Sequence, residues 1–332
     1  MPHSAAEAST LVERALAGFV RAHADIVEML PGPPVLRARR PHPDRRVGLV
    51  SGGGSGHEPL HIGFVGEGML DAACPGKVFT SPHNRQIYEA SKAVAGPGGV
   101  VHIVKNYTGD VINFAIAAER LAADGIRVGR VIVDDDLATD DAAVGRRGTG
   151  ATLIVEKILG AAADRGTSLD ELVRLGESLV SGARSLAVAT AAHRLPGQGD
   201  PAFEIPVGAV EYGVGIHGER SRLSLEAGGA AELVSRMVGE LVEALDGVEG
   251  EPIVFVNGLG GLAELALYAL ADEVCGAFES RGLAPVRLHV AAGVTALDMS
   301  GFSLTVAKVS PAALELWDAP AHTAAWITGG AR

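Results

Sequence analysis

GLVSGGGSGHEPLH, residues 48–61, joins a short apolar run to three consecutive glycines, a Ser-Gly pair and a histidine. Such a stretch reads as a phosphate cradle, a nucleophile turn, or a bend that needs small residues. A Walker A loop requires Lys and then Ser or Thr after its last glycine, whereas Gly56 is followed by His57 and Glu58. A nucleophile elbow around Ser55 requires glycine where His57 stands. What is left is a strand ending in a loop so poor in side chains that a ligand can touch backbone N–H groups, with His57 as the nearby acid or base. A tight turn with Ser55 as its cap explains the same glycines equally well.

Outward from this stretch, β-branched runs alternate with helical patterns. RVGLVS, VVHIVKN, RVIVDDD, SLAVAT, PIVFVN and VRLHVAAG each end in Gly, Ser, Asn or Asp. That rhythm belongs to βαβ units, so the fold class is α/β with mostly parallel sheets. DVINFAIAAERLAADG puts Val111, Phe114, Ala115, Ala118 and Leu121 on one helical face, and SLDELVRLGESLVSGA opens on a capping serine, Ser168. At 332 residues the chain exceeds a single core. A fresh run of strands begins after SGA, which divides it into 1–183 and 184–332.

Composition removes several classes of partner. Lys and Arg total 28 against 40 for Asp and Glu, a formal charge of -12. No basic stripe therefore offers the counterion release on which nucleic-acid binding depends. The densest apolar stretch, PIVFVNGLGGLAELALYALA, is broken by Asn257 and Glu264 and reads as strand, turn and helix rather than a membrane span. The acidic start lacks a basic leader, and Cys74 and Cys275 stand far apart outside any CxxC, so a cytoplasmic, reducing location is expected. Glycine is the outlier at 44 residues, about twice its usual share of roughly 7%.

In an open parallel sheet, ligands collect outside the carboxyl ends of strands. HIVKNYTGD ends a strand with Lys105 and Asn106 and turns into a helix near Asp110. Asp110 there is either a helix N-cap or, if its strand neighbours the one before His57, part of a cleft where ammonium, carboxylate and imidazole converge on a hydroxyl. EYGVGIHGERSR sets His217 among Gly213, Gly215 and Gly218, so its imidazole is approachable; a metal site with Glu219 is the competing use. VIVDDDLATDD carries Asp134, Asp135, Asp136, Asp140 and Asp141, which reads as a Mg²⁺ cluster or as solvated loop and helix caps. VFVNGLGGLAE contains Gly258, Gly260 and Ala263 in a GxGxxA pattern that either a dinucleotide or close strand–helix packing would select.

Taken in order, GLVSGGGSGHEP, VKNYTGD, RRGTGATLIVEKILGA, GVGIHGE, NGLGG and VTALDMSGFSLT resemble the dihydroxyacetone-binding subunit of dihydroxyacetone kinases over roughly residues 10–310. The resemblance implies two α/β domains in a homodimer, with a ketone held between them. On matching positions it makes His217 the residue that adds to the substrate carbonyl as a hemiaminal. Gly54, Ser55, Gly56, His57, Lys105 and Asp110 would bind the triose, and His57 and Asp110 would act as acid and base. Members that work alone carry a further all-helical nucleotide domain, for which this chain has no room. The expectation is therefore no cofactor or metal on this chain, with Mg-ATP or Mg-ADP on a separate nucleotide-binding subunit supplied by ATP or a phosphotransferase-system carrier. The chain departs from the pattern at His83, Asn84, Arg85 and Gln86, which either reach a longer ketose such as erythrulose or merely start a helix. A ligand-sensing coactivator that transfers nothing is the alternative from another class.

Overall fold

The computed structural model describes residues 5–140, 144–219, 223–226 and 228–328. The first part of the chain forms α1 (Ala5–Ala22), β1 (Val27–Met29), β2 (Leu36–Ala38), β3 (Val47–Ser55), β4 (Gly66–Glu67), β5 (Ala72–Val78), α2 (Asn84–Val94), β6 (Gly99–Lys105), α3 (Thr108–Ala123) and β7 (Val128–Val133). A six-stranded sheet has the order β1-β2-β5-β3-β6-β7. The β5, β3, β6 and β7 strands are parallel, and β2 and β1 extend the edge antiparallel. Every residue of β3 is buried, as befits a central strand covered on both faces.

Helices α4 (Ala151–Asp164) and α5 (Leu169–Ser181) follow, and then the chain enters a second sheet. Its elements are β8 (Ala183–Ala191), β9 (Ala209–Tyr212), β10 (Leu223–Glu226), α6 (Ala230–Ala244), β11 (Glu251–Gly258), α7 (Glu264–Glu279), β12 (Arg287–Ala291) and β13 (Ser300–Val309). The order is β10-β9-β8-β13-β11-β12. The α/β class holds throughout, but the expectation of mostly parallel strands needs correction here, because only β11 and β12 pair in parallel. The cause is connectivity. A parallel pair needs a long crossover, which α7 supplies, whereas β8, β9 and β10 follow one another without helices and β12 turns back through the 292–299 loop.

Five layers result: α2 and α3, the first sheet, α4 and α5, the second sheet, then α6 and α7. Helix α4 is buried from Ala151 to Ala163, including Glu156 and Lys157. A helix apolar all round belongs in an interior, and one carrying two ionisable side chains there must find them partners. Lys157 donates to the carbonyls of Leu316 and Ala319 at 3.0 and 2.9 Å. Ser168 begins α5 through a capping box with Glu171, as its spacing predicts. Finally α8 (Pro311–Trp317) leads to β14 (Ala321–Thr323) and β15 (Ile327–Thr328), and β14 pairs with β4 of the first part. Among the described residues no helix is long and apolar enough to cross a membrane.

Candidate functional site

Strands β3 and β6 are parallel neighbours with Ser51 opposite Ile103. The loops that leave them therefore emerge at one end of the sheet, which is the condition for His57, Lys105 and Asp110 to meet. The 295–297 loop of the second part closes over them. Leu297 N donates to Gly56 O at 2.8 Å, Thr295 N to His57 O at 3.3 Å, and Thr295 Oγ1 to Glu58 O at 2.9 Å.

His57 is fully buried, with Nδ1 2.7 Å from the Thr295 carbonyl oxygen. A carbonyl only accepts, so Nδ1 bears the proton and Nε2 keeps a lone pair. That Nε2 is buried and has no hydrogen-bond partner among the described residues. Burial, with the nearby His217 and Lys105 charges, holds the imidazole well below the usual histidine range. His57 is thus a neutral base at pH 7. Its ring stacks on Phe79, centroids 5.1 Å apart, and meets the His217 ring edge-on at 4.6 Å.

His217 is held by Glu219, whose carboxylate accepts from the His217 backbone N at 2.9 Å and faces Nδ1 at 3.2 Å. Nδ1–H donating to that carboxylate leaves the lone pair on Nε2, which has no hydrogen-bond partner among the described residues. Burial pushes the Glu219 carboxyl upward, but the hydrogen bond and charge of His217 and the charge of Arg147 outweigh it and hold it at about 2. Glu219 therefore pairs with the imidazole, rather than completing a metal site. Tyr107 flanks the same ring at 4.4 Å. The glycines around His217 have definite uses. A Cβ at Gly215 would collide with Glu219 and Arg147, and one at Gly218, where φ is +80, would collide with the His193 ring.

Lys105, fully buried, places Nζ 2.8 Å from His61 Nε2 and so close to Gly53 that a Cβ there would overlap it. Asp110 is not the N-cap: α3 begins at Thr108 behind Tyr107, and Asp110 lies buried in the first turn with Oδ1 unpartnered among the described residues. Burial raises its pKa, against the Lys105 charge and a Ser81 hydrogen bond. Gly54 admits the backbone of Phe79 and Thr80, and Gly56 turns at φ +104 beneath the Phe79 ring. The Ser55 hydroxyl donates to Gly76 O at 2.7 Å and ties the loop to β5.

Other singled-out residues serve the frame. Asp135 accepts from Thr149 N, Thr149 Oγ1, Ala151 N and Ser185 Oγ. Asp136 pairs with Arg147, and Asp134 and Asp140 with Arg146; these carboxylates are committed to caps and arginines, which does not fit a metal cluster. Asp141 lies outside the described residues. His83 caps α2 by accepting from Arg85 N, and buried Gln86 donates to Pro75 O at 2.7 Å, so this segment starts a helix. In NGLGG, Gly260 and Gly261 pack on the backbone of residues 297–300, and Asn257 holds Gly293 N, Val294 N and Val294 O. Sequence reasoning missed Phe79, Tyr107, His61, Glu156, His193 and Thr295. Tyr107, His61, Glu156 and Thr295 lie inside quoted motifs without having been singled out; a backbone carbonyl such as that of Thr295 leaves no trace in residue types.

A family model described as the Dak1 domain matches residues 17–325. The chain is 42% identical to the Listeria innocua "PTS-dependent dihydroxyacetone kinase 1, dihydroxyacetone-binding subunit DhaK", covering 95% of this chain and 97% of the relative. It matches the solved dihydroxyacetone kinase of C. freundii with a TM-score of 0.88 at 34% identity, covering 97% of this chain and 59% of that one. The dihydroxyacetone kinase operon co-activator Dha-DhaQ matches with a TM-score of 0.90 at 32% identity, over 96% of this chain and 99% of its own.

Proposed function

Because the chain belongs to the Dak1 family, we propose that it is the dihydroxyacetone-binding subunit of a kinase and that it holds the ketone as a hemiaminal on His217. The reaction is phosphoryl transfer to an alcohol group. Mg-ATP or Mg-ADP sits on a separate nucleotide-binding subunit, supplied by ATP or by a phosphotransferase-system carrier. A cytoplasmic homodimer, with the parts 1–183 and 184–332 on either side of the ketone, completes the reading.

The observation that carries it is the pair of imidazoles at 4.6 Å, each with Nδ1 engaged and with Nε2 unpartnered among the described residues. The His217 Nε2 lone pair adds to the carbonyl carbon as the C=O π pair moves to oxygen. The Nδ1 proton stays on the ring, where the Glu219 carboxylate balances the new positive charge, and the Asp110 carboxylic acid gives its proton to the alkoxide, leaving a hydroxyl on the adduct and a carboxylate at Asp110. Lys105 and the amides of Gly54 and Ser55 bind hydroxyls, whereas the Gly56 amide donates to Glu58 Oε2 at 2.8 Å and serves the turn instead; Asp110 and the neutral His57 supply acid and base. The bond fixes a small, flexible molecule with few polar atoms, and it excludes polyols without a carbonyl.

The co-activator match favours a second reading, a ketone sensor; phosphorylation in the presence of a nucleotide-binding subunit distinguishes the two. Erythrulose is an alternative substrate, to which the helix-starting residues His83–Gln86 lend no support. The test is intact-mass analysis of wild type and His217→Ala with dihydroxyacetone, erythrulose and glycerol. Wild type should gain the mass of a ketone and none from glycerol, and the variant should gain neither. A ketone adduct surviving in His217→Ala overturns the assignment.

A further inference from the structure

Behind the ketone site runs a chain of buried polar groups of which the mechanism above uses only the first, Lys105. Lys105 Nζ lies 2.8 Å from His61 Nε2; His61 Nδ1 lies 2.5 Å from Glu156 Oε1 and 2.9 Å from Ser51 Oγ. The Ser51 hydroxyl lies 2.8 Å from Ile103 O, to which it can donate. Lys105, Glu156 and Ser51 are wholly buried and His61 is 4% exposed. The four groups come from three elements and a loop: Ser51 from β3, Lys105 from β6, Glu156 from the middle of α4, and His61 from the stretch after β3.

We infer that Glu156 and His61 are positioning residues for Lys105: the chain aims Nζ past Gly53 and exchanges its proton with Glu156 through the imidazole. This rests on the reading of Lys105 as a ketone ligand. The exchange balances. A proton passes from Nζ to His61 Nε2 as the Nδ1 proton passes to Glu156 Oε1, so ammonium and carboxylate become amine and carboxylic acid while His61 changes tautomer. Burial raises the Glu156 carboxyl to about 8 and lowers the Lys105 ammonium, which narrows the gap the proton must cross. A buried ammonium without a counter-charge is costly, so Glu156 decides whether Lys105 can offer a charged donor to a substrate oxygen.

Glu156→Gln keeps shape and removes the proton acceptor. Its ketone affinity should fall roughly tenfold, the scale of one charge-assisted hydrogen bond, with turnover at saturation changed less than about twofold. His61→Gln, which leaves Lys105 an amide oxygen but breaks the link to Glu156, should behave alike. In a Lys105→Met background Glu156→Gln should add nothing, because both act through Nζ. Nitrogen NMR of His61 should show its tautomer shifting in Glu156→Gln. An undiminished second loss in the double variant, or wild-type affinity in Glu156→Gln beside a weakened Lys105→Met, overturns the inference alone. Wild-type affinity in Lys105→Met removes Lys105 as a ketone ligand, and the inference with it.

Discussion

At the scale of single residues, the site works by committing one nitrogen of each imidazole and leaving the other. His57 gives Nδ1 to a carbonyl and His217 gives Nδ1 to a carboxylate, which is the arrangement that the proposed roles of base and nucleophile require. His57→Asn should therefore still form the ketone adduct, while turnover with a nucleotide-binding subunit falls about 10²–10⁴-fold, the range of a lost general base. Undiminished turnover would remove His57 from proton transfer. Much of this was legible in the chain: glycine on both sides of His217 and the absence of a Walker lysine after Gly56 pointed to an approachable imidazole and a loop for something other than nucleotide. The committing partners were not legible. Glu219 enters the sequence reading only through the competing metal site, and nothing about residue 295 announces that its carbonyl selects the tautomer of residue 57.

Among elements, α4 is the pivotal one, because it is buried against both sheets and carries Glu156 at its centre. Gly160 lets it lie against the backbone of Gly68 and Met69, which a Cβ would strike. Gly160→Ala should cost about 1–3 kcal/mol of stability, the usual penalty of overpacking, read as a lower urea midpoint. An unchanged midpoint would mean that the helix has slack. The strand and helix positions of the first part follow from apolar period and capping residues, since βαβ units repeat a local rule. The second sheet departs from that rule, because its strand directions depend on which connections lack helices, and the SLAVAT run looks the same whether the next strand returns parallel or antiparallel. Asp110 illustrates the same limit: an aspartate near a helix start reads as a cap, and only the placement of α3 two residues earlier turns it inward.

For the whole molecule, stability is tied to histidines that fold uncharged. His102, on β6 under α2 and α3, is fully buried; its Nε2 lies 2.8 Å from Ser91 Oγ, and burial with the Arg130 charge lowers it to about 3. A pKa below the ordinary 6.5 stabilises the fold fully above 6.5, and that contribution is lost as pH falls toward 3, at about 1.4 kcal/mol per unit. The urea midpoint should thus decline between pH 6.5 and 4.5, and His102→Gln should decline less steeply; equal slopes would place the sensitivity elsewhere. The seam between the two parts has a different consequence. Residues 56–58 and 295–297 grip one another through backbone groups, and the grip itself decides which nitrogen of His57 holds its proton. Sheets of this kind look like modules that recombination can trade one at a time. Here a traded part keeps the His57 tautomer whatever residue stands at 295, provided that its loop returns a backbone carbonyl to the same point.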